Sequence, residues 1–244
     1  MKQLTVIKIG GNVIDNSEKL HQFLLDFTAL PGEKILVHGG GKIATELALS
    51  LGIEPKMVEG RRITDIETLR IVTMVYAGLI NKNMVAQLQA KGCNAIGLTG
   101  ADGNVIKAVK RPIKEIDFGF VGDLDETSVS VATLDSLLKS KLIPVLCAIT
   151  HDGDTQLLNT NADTIASAVA VAMSSVYETR LVYCFEKKGV LRDVEDDLSL
   201  VTEIRSDEFE GLKKEGVVSG GMIPKLHNAF DAIKKGVKAV YIGI

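Results

Sequence analysis

Two lysines set beside glycine pairs are the residues of this chain best suited to chemistry. Lys8 lies in VIKIGGNVI, residues 6–14, just before Gly10-Gly11, and Lys225 lies in GGMIPK, just after Gly220-Gly221 and Pro224. Glycine lets a backbone approach an anion closely, and amides at a helix start point at its oxygens. Each lysine would set an ammonium beside such a nest. Two ammoniums facing one cavity repel each other unless an anion lies between them. Asp163, in the first turn of a predicted helix over 161–175, is the internal candidate for that anion.

A third glycine cluster, Gly39-Gly40-Gly41, also follows a strand-like run. HGGGKI resembles part of a P-loop, but Ile43 stands where that loop needs Ser or Thr, and no GxGxxG follows the first strand. A P-loop nucleotidase and a Rossmann dehydrogenase are therefore disfavoured. EGRRIT, residues 59–64, sets Arg61 and Arg62 in a loop where either fork can clamp a small carboxylate. NTNAD, residues 159–163, sets two asparagines ahead of a helix; one caps it, and the other can donate and accept toward an amide-bearing substrate.

The elements that must position these residues alternate. LTVIKI, KILVHGGG, CNAIGL, IPVLCAI, RLVYCF and KAVYIGI read as buried strands, with amphipathic or small-residue helices between them. Ser17 is the expected N-cap of the first long helix, and Pro31-Gly32 ends it. Residues 66–91 form a long helical stretch. Residues 101–127 read as hairpins, and Asp152-Gly153 as a tight hairpin turn. This order predicts an α/β fold with a mainly parallel central sheet and helices on both faces. A soft lobe boundary falls near 174–180.

The net charge of −3 gives no electrostatic reason to expect nucleic acid. No apolar run reaches the roughly 20 residues of a membrane span. The first residues enter a strand without a signal-peptide layout, so cytoplasm is the expected compartment. Cys93, Cys147 and Cys184 lack CxxC spacing and read as reduced thiols. The scattered histidines form no metal pattern, so no protein-held metal is expected.

Taken together, these strings resemble the amino acid kinase family in order over nearly the whole chain: KIGGNVI, VHGGG, GRRIT, AGLINK, NADTIA and GGMIPKLHNA. The resemblance is strongest to members that phosphorylate the side-chain carboxylate of an N-acylated glutamate in arginine biosynthesis. Aspartate kinases usually carry regulatory domains for which this chain has no room. The resemblance implies a three-layer αβα sandwich, with residues 1–174 binding the acylglutamate and 175–244 binding ATP, which brings Mg²⁺. It implies that Lys8 and Lys225 stabilise the transferring phosphoryl group and that Asp163 holds them. It places the acylglutamate on Gly40, Gly41, Arg62 and Asn159. It places the nucleotide on Gly10, Gly11, Glu186, Gly189, Ser219, Gly220 and Met222. Glu186 stands where relatives commonly carry aspartate. The resemblance also implies a homodimer through the 66–91 stretch, one that arginine does not inhibit because the helix preceding the first strand in arginine-inhibited hexamers is absent. The acyl group is open between acetyl and succinyl. Two other readings are a kinase of the same fold for another small carboxylate or carbamate, and a non-catalytic sensor.

Overall fold

The structure, a computed structural model, describes all residues except 59–60, 185–188, 194–195, 219–221 and 244. Six strands form its central sheet: β1 (Gln3–Ile9), β2 (Glu33–His38), β3 (Ala95–Leu98), β4 (Ile143–Cys147), β5 (Glu178–Cys184) and β6 (Ala239–Gly243). Their order is β6-β5-β1-β2-β4-β3, and every pairing is parallel. The apolar runs of β2 and β4 are buried almost throughout, as a sheet covered on both faces requires.

The chain leaves β1 toward β2 on one side and later returns to place β5 on the other. That reversal opens a crevice outside the carboxyl ends of the central strands, where ligands of open α/β sheets bind. The register brings Ile9, His38 and Cys184 level with one another. Gly10 and Gly39 therefore emerge side by side at that crevice.

The principal helices are α1 (Ser17–Ala29), α2 (Gly41–Ser50), α3 (residues 66–90), α4 (Val131–Lys139), α5 (Ala162–Met173) and α6 (Met222–Lys234). Side chains alternate across a strand, and this assigns the layers. Thr5, Ile7, Val182 and Cys184 line an apolar recess with Phe23 and Phe27 of α1. On the opposite face, Lys8 and its register partner Tyr183 meet α5. The sandwich thus has three layers, as expected. A main core runs through the sheet. A smaller one joins Val190, Phe209, Leu212, Val218 and Leu226.

Four local expectations are corrected. Asn16, not Ser17, caps α1, its side chain accepting from Lys19 N at 2.9 Å. Helix α3 is not uniformly α-helical: Ile66–Thr73 and Asn81–Ala90 flank a π-wound turn, Met74–Ile80. Asp152-Gly153 sits in a five-residue connection, 152–156, between Ile149–His151 and Leu157–Asn159, because Asp152 caps the loop backbone at Asp154 and Gln156. The arginine loop is a short hairpin, Met57–Val58 paired with Arg61–Arg62.

The three cysteines are free thiols, and burial pushes Cys147 up to about 12 and Cys184 to about 11. Among the described residues no helix is long and apolar enough to cross a membrane.

Candidate active site

A cavity of about 500 Å³ opens at the carboxyl ends of the strands. That volume suits a small metabolite. Gly39, Gly40, Gly41, Arg62, Asn159, Asp163 and Lys225 all line it, so residues more than 180 positions apart share one wall.

Lys8 reaches this wall from below. Its Nζ lies 2.8 Å from Asp163 Oδ1, in an ion pair whose side chains are 14% and 23% exposed. Oδ1 is sealed from solvent, so the Lys8 ammonium is what compensates its charge. Asp163 is held by its own helix start: Asn161 accepts from Asp163 N at 2.8 Å and Thr164 N at 3.1 Å. Asn161 is therefore the capping member of the asparagine pair.

Asn159 is the cavity member. It ends the strand Leu157–Asn159, and its Nδ2 donates to Thr64 Oγ1 at 3.0 Å. Thr64 is fully buried and tied to the 118–120 backbone on both sides. Arg62 is anchored with equal care: Nη2 donates to Gly41 O at 3.0 Å and Thr45 Oγ1 at 2.7 Å. Arg61 also lines the cavity but is exposed.

Gly40 adopts φ +152°, where a Cβ would collide with Ile80 Cδ1 of α3. Only glycine fits both the backbone and the gap. Gly41 then opens α2, so the helices at 41 and 162 both begin at this wall, and Lys225 lies in the first turn of α6. Helix starts attract anions. The described lining carries Arg61, Arg62, Arg111 and Lys225 against a single carboxylate, Asp163. The cavity is built for anions.

Of the remaining expected residues, Gly10 caps the short turn Gly11–Ile14 and lies close to Lys8 Nζ. Met222 packs on the smaller core, and Gly189 lies against Leu200. Glu186, Ser219 and Gly220 lie outside the described residues.

Arg111, Tyr76 and Asn228 are among the lining residues that escaped the sequence reading. Arg111 is gripped by Asp123 through Nε at 3.0 Å and Nη2 at 2.6 Å. Tyr76, whose hydroxyl is pushed above its usual range by burial, lies under Gly40 and Gly41. Asn228 follows Lys225 by three positions, and that helical spacing was the one available signal.

This crevice at the carboxyl ends of a parallel sheet, lined by cations, suits a small anionic ligand. The model of the amino acid kinase family matches residues 3–243, and the chain belongs to that family. It is 58% identical to the acetylglutamate kinase of Cytophaga hutchinsonii, over 99% of this chain and 91% of that one. It is 57% identical to that of Bacteroides thetaiotaomicron, over 99% and 93%. Among solved structures, smu.665 from Streptococcus mutans superposes with a TM-score of 0.80 at 28% identity, covering 98% of this chain and 94% of that one.

Proposed function

We propose that the protein transfers the terminal phosphoryl group of ATP to the side-chain carboxylate of N-acetylglutamate, giving an acyl phosphate for arginine biosynthesis. The observation that carries this is the Lys8–Asp163 ion pair sharing one cation-lined wall with Lys225.

A carboxylate is already a nucleophile at neutral pH, so no general base is needed. Both reactants are anions, and phosphoryl transfer is mainly positioning and charge stabilisation. Arg62 holds the α-carboxylate, Asn159 the acyl amide, and the amides of Gly40 and Gly41 the acceptor end. The acceptor oxygen attacks phosphorus as the bond to the ADP oxygen breaks. Lys8 and Lys225 offset charge on the moving group, and Asp163 keeps their ammoniums in place. Gly10 and Gly11 line the phosphates, and the 175–244 lobe takes the nucleotide through Glu186, Gly189, Ser219, Gly220 and Met222. Asp163 is the one carboxylate in the described lining and is already paired with Lys8, so Mg²⁺ enters as part of the ATP substrate. Ile66, Met74 and Leu79 expose an apolar edge on α3 that suits the proposed homodimer. Cytoplasm is the matching compartment.

The test is incubation with Mg-ATP and a panel of N-acylglutamates, with hydroxylamine trapping the acyl phosphate. N-acetylglutamate should give hydroxamate, and the N-succinyl compound reads the acyl preference. No hydroxamate from any of them overturns the proposal.

A further inference from the structure

One buried titratable group stands directly behind the substrate wall and has no part in the chemistry above. His38 ends β2, is fully buried, and immediately precedes the glycine loop. Its Nδ1 lies 2.8 Å from Gly39 O, and its Nε2 lies 3.0 Å from Asn81 Nδ2. A carbonyl only accepts and an amide nitrogen only donates, so Nδ1 carries the proton and Nε2 is bare.

The orientation of the Asn81 amide rests on two neighbours. Nδ2 also donates to Val145 O at 2.9 Å in β4, while Oδ1 accepts from Lys82 Nζ at 3.1 Å. Lys82 in turn donates to Gly97 O at 2.8 Å in β3. Both agree on one flip, which fixes the imidazole as neutral. The strand makes room for this amide: a Cβ on Gly97 would collide with the Asn81 side chain. The loop makes room for the preceding residue, since a Cβ on Gly40 would collide with Ile80. The π-wound turn Met74–Ile80 ends at this point and delivers Ile80 and Asn81, both buried, to the back of the loop. Such turns recur at functional sites.

We infer that His38 and Asn81 are positioning residues for the acceptor substrate: the neutral imidazole, oriented by Asn81, holds the Gly39 carbonyl inward. In a trans peptide the N–H points opposite to the C=O. Holding Gly39 O against His38 therefore turns Gly40 N–H the other way, toward the cavity that Gly39 and Gly40 line. The substrate contact of the loop is set from behind, by residues that touch no ligand.

The role in binding an acylglutamate rests on the function proposed above; the proton placement does not. Asn81→Asp removes the donor to Nε2 and offers a carboxylate, which draws a second proton onto His38. In the folded variant, KM for N-acetylglutamate should rise about tenfold to a hundredfold, the usual effect of unpairing a buried polar contact. KM for ATP should stay within about twofold, because the ATP lobe is untouched. His38→Gln should shift the same constant in the same direction. Long-range ¹⁵N spectra of the wild-type protein should show His38 protonated at Nδ1 alone. The Gly40 and Gly41 amide signals should move in both variants.

A His38 protonated at Nε2, or folded variants with unchanged acylglutamate KM and unmoved glycine amides, overturns the inference. A rise in both substrates' KM by equal factors also overturns it, since general loosening explains that. If either variant fails to fold, the wild-type tautomer and the other variant decide. Should the wild type phosphorylate no acylglutamate, the function falls, while the tautomer and the glycine amide shifts still judge the loop's support.

Discussion

The two ends of the cavity are held in different ways. At the proposed acceptor end the principal polar groups are committed to neighbours. Arg62 is fixed to Gly41 and Thr45, Asn159 to Thr64, and Gly39 to His38. At the proposed phosphoryl end the main contact is the Lys8–Asp163 ion pair, 2.8 Å long, with its carboxylate oxygen sealed from solvent. A site that must recognise one small acid gains from prepaid orientation. A site that must follow a moving charge gains from an ammonium, a compact point charge with rotatable donors. In the proposed function, the contrast separates recognition from chemistry along one wall.

Substitutions can break or sharpen that contrast. The largest effect is expected for Lys225→Ala: kcat should fall by about 10²–10³, the typical loss of a group that stabilises transition-state charge, with a much smaller change in KM for ATP. Steady-state kinetics check this, and a loss confined to KM would place Lys225 in binding instead.

The next effect is on stability. Burial holds His38 down to about 4, from an ordinary 6.5. The unfolded chain therefore takes a proton first as pH falls. Stability should be whole above about pH 6.5 and decline toward pH 4, by roughly 3 kcal/mol from this group. Urea unfolding across that range should show the decline, and His38→Gln should flatten it.

Arg62→Ala should raise KM for N-acetylglutamate by about tenfold to a hundredfold while kcat changes less, the pattern of lost ground-state binding. An equal fall in kcat would blur the two ends. The smallest effect belongs to a cap. Asn161→Ala should cost about 1 kcal/mol of stability. It should also lower kcat modestly, because it loosens the first turn that carries Asp163.

Much of this was legible in the sequence because it is written in local pattern. Buried β-branched runs and glycine pairs mark the strands and their loops, and a lysine in such a run announces an internal partner. Lys8 and Asp163 do meet. The asparagine pair was read as one cap and one ligand group, and geometry assigned Asn161 to the first role and put Asn159 in the cavity. What escaped depends on contacts far apart in sequence. Arg111 enters the wall only because a short hairpin, Val109–Lys110 with Gly122–Asp123, folds across. The π-wound turn leaves no mark in a helical repeat. His38 was legible as a strand end, but its proton is set by Asn81, forty-three positions away. Ser17 and Asn16 are both good caps, and only backbone geometry separates them.

The central claim is that Lys8 acts on the phosphoryl group in transit and that Asp163 acts through it. Single-turnover phosphoryl transfer, measured by rapid quench in Lys8→Ala, Asp163→Ala and the double variant with ATP affinity measured in parallel, tests it most directly. The account predicts a transfer rate at least about 10²-fold lower in Lys8→Ala, ATP affinity within about threefold of wild type, and a double variant little worse than Lys8→Ala alone. Wild-type transfer in Lys8→Ala, or losses that multiply in full in the double variant, would contradict it.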